Sequence, residues 1–227
     1  MPYRVQVLET EMLNHNVKRF VTTKPDSYPF EPGQATNITL LRKGYRSEPR
    51  PFTFSSRPDD ENLEFIIKLY YDRDGVTDEM SGVEAGEEFE IDEPKGGISY
   101  EGPGVFVAGG AGITPFLSIF RQLDSEDELD NQTLWFSNSH PRDIFLEDEL
   151  RGYFPEENLR LLVSDPPEEG SAYEEGVVDE DFLKENEDAL QDSFVYVCGP
   201  PEMTEEIVGM VKEMGVDDSM IVHEDWS

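Results

Sequence analysis

The chain has 227 residues, 18 basic against 51 acidic side chains, a formal net charge of −33 and one cysteine. That length suits one large domain or two of about 100 residues each. A lone cysteine excludes an intrachain disulfide and any all-cysteine metal or iron–sulfur site. So acidic a chain lacks the basic face that nucleic-acid phosphates require. The three histidines, His15, His140 and His223, are scattered and predict no metal site.

The charge is uneven. Up to Pro103 there are 12 basic and 20 acidic residues; from Gly104 onward there are 6 and 31. Both halves keep apolar strand-like runs, so this is not a disordered acidic tail. Only 7 of the 18 basic residues are lysine. Acidic, lysine-poor surfaces resemble those of cytoplasmic proteins from salt-accumulating organisms, which is the expected source; the alternative is a surface meant for a basic partner. The N-terminus, Met-Pro-Tyr-Arg-Val-Gln, has no apolar signal core, so a cytoplasmic location is expected. Residues 102–120 lack charge over a membrane-spanning length. Five glycines and two prolines in that run predict strand–turn–helix instead.

Taken in order, residues 3–9 alternate apolar and polar like a strand. Further strands are expected over 17–22, 35–41, 52–55, 63–70 and 89–91, separated by proline and glycine turns. Six short strands of this kind predict an antiparallel barrel. After Gly102-Pro103-Gly104 the rhythm becomes strand–helix alternation. Strands are expected over 105–108, 133–137, 159–163, 194–198 and 220–222, with helices over 115–123, 144–153, 179–190 and 201–214. Asp124 to Asp130 reads as an acidic loop. Alternation means a doubly wound parallel sheet with ligands outside the carboxyl ends of its strands. The fold class is therefore all-β plus α/β, with domains over 1–99 and 104–227.

Gly104 to Phe120, GVFVAGGAGITPFLSIF, is the stretch around which this organisation turns. A Val-Phe-Val strand runs into Gly109, Gly110 and Gly112, then into a helix opened by Pro115, whose missing N–H would be unpaired there anyway. Glycines let a backbone approach a ligand, and free N–H groups at a helix start suit phosphate. Only two glycines of G-x-G-x-x-G are present, so a ligand-free turn remains an equal reading. Val195 to Met203, VYVCGPPEM, repeats the device: strand, Gly199, then a helix opened by Pro200-Pro201.

GGAGITP followed by CGPPEM resembles the pyridine-nucleotide half of the ferredoxin–NADP reductase-like family. Arg50-Pro51-Phe52-Thr53 resembles that family's R-x-Y-[ST] flavin motif, and the three blocks stand in the family's order over nearly the whole chain. The resemblance implies an N-terminal six-stranded flavin-binding barrel and a C-terminal NAD(P)-binding domain. It implies FAD, with FMN the alternative, and NADPH or NADH as substrate.

By the same resemblance Arg50 pairs with the flavin phosphate, bidentate guanidinium being suited to it. Phe52 sits against the isoalloxazine, where the lost tyrosine hydroxyl removes one hydrogen bond. Thr53 donates near flavin N5. Lys68 and Tyr70 lie on the segment bordering the flavin. Gly75-Val76-Thr77 resembles a G-x-[ST] pyrophosphate turn, with Thr77 as helix cap; Asp78 and Glu79 behind it oppose phosphate. Gly110, Gly112, Thr114 and Pro115 cradle the dinucleotide, as do Gly199, Pro200 and Met203. Cys198 lies beside nicotinamide C4, or is a small buried core cysteine.

Coenzyme choice is read after the second parallel strand. No acidic residue ends it, so the usual carboxylate for an NAD ribose is missing. Ser137, Asn138 and Arg142 are the candidates there, with Ser137 and Arg142 suited to a 2′-phosphate. Against NADPH, Asn138 to Ile144 (N-x-x-x-x-D-I) also resembles NADH-using cytochrome b5 reductase-like members; the balance is set at NADPH. Glu224-Asp225-Trp226 resembles the family's C-terminal E-x-aromatic. Trp226 would cover the flavin and Glu224 assist nicotinamide or proton positioning; a terminal side chain packed on the core is an equal reading of Trp226. The resemblance implies a flavin-dependent NAD(P)H oxidoreductase passing electrons to ferredoxin, flavodoxin, an oxygenase component or a small molecule. The alternatives are a reductase subunit of an oxygenase or haem system, and a flavin-binding module without NAD(P)H turnover. No cysteine cluster supports an iron–sulfur coupling role, and no membrane partner is expected.

Overall fold

The computed structural model describes residues 2–72, 74–165 and 170–224. It divides into two compact units, residues 1–99 with 114–122, and residues 100–113 with 123–227.

The first unit is a nearly closed antiparallel barrel. Its strands are β1 (Tyr3–Met12), β2 (Val17–Thr23), β3 (Ala35–Leu40), β4 (Arg50–Thr53), β5 (Asn62–Lys68) and β6 (Glu88–Ile91), in the order β4-β3-β6-β1-β2-β5. The two ends of that order meet just past β4, where the Ser55 N–H donates to the Glu64 carbonyl of β5 at 2.9 Å. Alternating side chains fill the inside: Val5 and Val7 of β1, Phe20, Ile38, Phe65 and Phe89 are fully buried. Rings dominate this core. Phe54 stacks on Phe30 at 4.3 Å and meets Phe65 at 5.3 Å. Such aromatic pairs contribute about 1 kcal/mol each beyond their area burial.

Between β5 and β6 runs a short helical turn, α1 (Val76–Glu79), followed at once by a 3-10 turn, Met80–Gly82. The end of that turn leaves carbonyls facing away from any ladder, and two cations take them. Buried Lys18 donates to Ser81 O (2.8 Å) and Val83 O (2.7 Å). Arg42 reaches Gly82 O (2.6 Å), Glu79 and Glu87.

The second unit is a parallel sheet. Its strands are β7 (Gly104–Gly109), β8 (Thr133–Asn138), β9 (Leu159–Val163), β10 (Glu174–Glu175), β11 (Phe194–Cys198) and β12 (Ile221–His223). The order β10-β9-β8-β7-β11-β12 reverses direction between β7 and β11. Its helices are α3 (Glu147–Tyr153), α4 (Glu180–Glu185), α5 (Glu187–Leu190) and α6 (Pro201–Glu213); α2 (Thr114–Ser125), which follows β7 in the chain, belongs over residues 114–122 to the first unit. All of β7 is buried, as a parallel strand covered on both faces should be. Tyr196 of β11 stacks flat on Phe106 at 4.2 Å. Its hydroxyl accepts from the Glu101 and Gly102 N–H groups and donates to Gly102 O, tying down the chain that enters β7.

Four elements differ from expectation. Helix α3 starts at Glu147, three residues late, because Leu146 adopts φ 56° and cannot continue a helix. The helix over 179–190 breaks at Asn186, whose side chain donates to Phe182 O and ends α4. β10 is an added strand; two glutamates pair with β9, and Arg160 neutralises Glu174. α2 runs to Ser125, into the stretch expected as loop.

Candidate functional site

The two glycine turns end neighbouring strands and meet. β7 and β11 pair directly, Ala108 opposite Cys198. Beyond β7 the chain enters a 3-10 turn, Gly110–Ile113, with Gly110 at φ +52°. It is followed at once by α2, with Pro115 in its first turn. Beyond β11, Pro200 precedes α6 and Pro201 opens it. A Cβ on Gly112 would sit 2.2 Å from the Cys198 carbonyl oxygen, and one on Gly109 would sit 2.4 Å from the Met203 sulfur. The glycines are thus required by one turn packing on the other, before any ligand is considered. Their location is the topological switch point, at the carboxyl ends of the strands, where open α/β sheets hold nucleotides. A cleft of about 420 Å³ lined by Leu190, Asp192, Met214 and Met220 precedes β11 and β12, at the opposite strand ends.

Cys198 is buried, and burial, with Glu224 nearby, pushes its thiol up to about 12. It stays protonated and is no nucleophile at neutral pH. Burial also raises Glu224 to about 7, so this carboxyl can hold or release a proton near neutrality. Thr114 is buried at the start of α2, and a Cβ on Gly199 would sit 3.1 Å from the Met203 sulfur. Trp226 lies outside the described residues.

At the tip of β8, Ser137 is partly exposed and Asn138 is 8% exposed. Asn138 Nδ2 is the one buried side-chain nitrogen or oxygen without a partner among the described residues. An orphaned buried donor is costly, about 1–3 kcal/mol, unless a ligand satisfies it. Arg142 is exposed, in a short 3-10 turn (Pro141–Asp143), and forms no ion pair with a described residue. The fold adds a residue that local sequence could not supply. The Asp165 N–H donates to Ser139 O (2.9 Å), and its carboxylate lies 2.8 Å from His140 Nδ1. A carboxylate does stand at the end of β8, delivered by β9.

In the barrel unit, Arg50 is exposed on β4. It donates to Pro49 O and lies 3.3 Å from Glu48. Pro51 is exposed beside it, Phe52 packs on the barrel core, and the Thr53 hydroxyl forms no hydrogen bond to a described residue. Lys68 ends β5, its ammonium 6.0 Å from the centre of the exposed Tyr70 ring. Gly75, not Thr77, is the N-cap of α1, and no side chain caps that turn. Val76 is buried and Thr77 lies inside the turn, because the extended backbone at Gly75 precedes the first helical residue. Asp78 and Glu79 occupy the same turn and add negative charge where an anion would approach.

Comparison with known proteins agrees with this geometry. Residues 106–208 match the oxidoreductase NAD-binding domain family. The structure superimposes on a ferredoxin NADP+ reductase from Neisseria gonorrhoeae, solved with bound FAD and NADP, at a TM-score of 0.81 and 21% identity, covering 98% of each chain. At that identity the likeness is one of fold: an antiparallel barrel followed by a parallel-sheet unit. Among sequence relatives, the reductase component of propane 2-monooxygenase from Rhodococcus jostii is 27% identical over 97% of this chain and 62% of its own length. One component of the Na(+)-translocating NADH-quinone reductase of Neisseria meningitidis is 35% identical over 54% of this chain and 32% of its own length. The chain thus spans less than two thirds of these curated relatives. Among the described residues no helix is long and apolar enough to cross a membrane.

Proposed function

We propose that the protein is an FAD-dependent NAD(P)H oxidoreductase that passes electrons to a one-electron acceptor such as ferredoxin or flavodoxin. Residues 1–99 form the flavin domain and 104–227 the dinucleotide domain. The observation that carries this is the meeting of the Gly109–Gly112 and Cys198–Pro200 turns at the switch point. When bound, FAD would supply hydride acceptance from the nicotinamide and single-electron release, which nicotinamide alone cannot provide; the protein supplies orientation.

Arg50 neutralises flavin phosphate, exchanging its long contact with Glu48 for a charge-assisted one. Phe52 backs the ring, and the Thr53 hydroxyl donates to it. Lys68, Tyr70, Gly75, Val76 and Thr77 border the cofactor, the last three without help from a cap. Gly110, Gly112, Thr114 and Pro115 hold the dinucleotide pyrophosphate; Cys198, Gly199, Pro200 and Met203 shape the nicotinamide end. Neutral Cys198 packs there, and Glu224 manages a proton. Ser137, Asn138 and Arg142 receive the adenosine. Asp165 favours NADH over the NADPH expected from sequence, since a carboxylate accepts from a ribose hydroxyl and repels a 2′-phosphate.

The test is direct. The purified protein should be yellow, release FAD on heating, and reduce ferricyanide faster with NADH than with NADPH. No flavin after soaking with FAD sinks the proposal; a preference for NADPH sinks only the role of Asp165. The acidic surface fits a salt-rich cytoplasm, a reading overturned by a melting temperature unchanged between dilute buffer and molar potassium chloride.

A second reading is a reductase serving a separate oxygenase. It is favoured by the match to the propane 2-monooxygenase reductase component, which extends over 97% of this chain. Both readings need the same flavin geometry and differ only in the acceptor.

A further inference from the structure

Just past β4 the chain leaves the barrel ladder. Thr53 still pairs with Ala35, and the Phe54 N–H reaches Gln34 O at 3.0 Å. Beyond that, the N–H side is held by β5. Ser55 N–H donates to Glu64 O, Ser55 Oγ to Glu64 Oε1 at 2.8 Å, and Glu64 N–H to Ser56 Oγ at 3.0 Å. The carbonyls of Ser55 and Ser56 are taken by α2, which offers two donors one turn apart. Arg121 Nη1 donates to Ser55 O at 2.8 Å, and Ser118 Oγ to Ser56 O at 2.7 Å. Arg121 is tied at the same time to Glu64 Oε1 at 2.5 Å.

Serine has no helical reason to be at position 118. It is fully buried among Phe116, Leu117, Ile119 and Phe120. Alanine would form a better helix, and a buried hydroxyl costs free energy unless bonded. Buried serines in helices commonly turn back to the carbonyl four residues earlier; this one reaches another segment. Residues 118 and 121 stand three apart, on one helix face, and address two successive carbonyls.

We propose that Ser118 and Arg121 are positioning residues, which fix the end of β4 and through it the place of the Thr53 hydroxyl. This rests on the reading that Thr53 donates to the flavin. That hydroxyl has no partner among the described residues to hold it, so its aim comes from the backbone. A donor in a functional site must be held within about 0.5 Å, and a strand end freed on its carbonyl side is not.

The experiment uses the full chain loaded with FAD, and compares Ser118→Ala, Ser118→Thr, Arg121→Gln, Thr53→Val and the Ser118→Ala/Thr53→Val pair. Flavin midpoint potential, visible spectrum and rate of flavin reduction by dinucleotide are read. Amide exchange over residues 54–57 is read in flavin-free protein. Ser118→Ala should shift the potential and spectrum, slow reduction several-fold at unchanged flavin content, and speed exchange over 54–57. Ser118→Thr should restore all of these. In the Thr53→Val background, Ser118→Ala should add nothing. If Thr53→Val alone shifts the potential while Ser118→Ala and Arg121→Gln do not, the clamp is overturned and the flavin reading stands. A Ser118→Ala shift of full size on top of Thr53→Val also overturns it. A silent Thr53→Val removes the flavin role of Thr53, and the clamp's function with it.

Discussion

The barrel and the α/β half use their cations differently. The barrel sequence holds 12 of the 18 basic residues and puts its best-placed ones on backbone oxygens. Lys18 and Arg42 cover three successive carbonyls after α1. Of the six cations from Gly104 onward, Arg121 serves the barrel unit. Arg151, Arg160, Lys184 and Lys212 pair with carboxylates on partly exposed sites. Exposed pairs of that kind contribute about 0–1 kcal/mol. The α/β unit instead depends on close backbone approach at its glycine turns and on buried apolar strands. The lesson is that irregular backbone needs buried donors, whereas a parallel sheet closes its own hydrogen bonds and is sensitive to added volume.

The largest expected effect tests that volume. Gly112→Ala places a methyl 2.2 Å from a backbone oxygen that cannot move without β11. We expect destabilisation of about 4 kcal/mol and loss of dinucleotide binding, measured by urea unfolding and coenzyme titration. Gly152→Ala is the control: nothing lies within 4 Å of its added carbon, and a helical alanine should stabilise by about 0.5–1 kcal/mol. Equal losses in the two variants would break the contrast.

Next is Lys18→Met, which keeps the stem and removes the charge. The carbonyls of Ser81 and Val83 lose their donor, at about 1–3 kcal/mol in all. Urea unfolding should show that loss, with exchange of the 79–83 amides accelerated. A variant as stable as the parent would mean that buried cations do not hold the barrel's irregular segment.

An effect of similar size is read in pH. Glu224 rises to about 7 in the folded chain from an ordinary 4.5 because it is partly buried. The folded state then binds its proton more tightly than the unfolded state, so this group's contribution falls as pH rises from about 4.5 to about 7. Glu224→Gln should gain stability over the parent across that window and keep the gain above it. The readout is the difference in melting temperature between variant and parent at pH 4.5 and pH 8, which cancels the remaining carboxylates. A difference that does not change with pH means Glu224 is not buried as described.

Much of the fold is legible in the sequence because its signals are local. Period-two alternation marks β1, and fully apolar runs mark β7 and β11. Glycine–proline punctuation locates both switch-point turns. Boundaries fail where a single residue decides them: the left-handed Leu146 and the side chain of Asn186 are not visible in a hydrophobic pattern. β10 escapes because two glutamates resemble surface until Arg160 is placed beside them. Among the candidate residues, Arg50, Thr53 and Cys198 can be singled out by motif. Asp165 and Ser118 cannot, because their importance depends on which carbonyl or loop another strand brings to them. Thr77 sits inside its turn rather than at the cap, since a Gly-x-Thr string does not say where a helix begins.

Cys198 carries a consequence for chemical reactivity, because the chain's lone sulfhydryl stands on β11. Peroxide and alkylating reagents attack the thiolate. With its thiol pushed up to about 12, Cys198 presents almost none at neutral pH. Iodoacetamide should label the native protein far more slowly than the urea-unfolded chain.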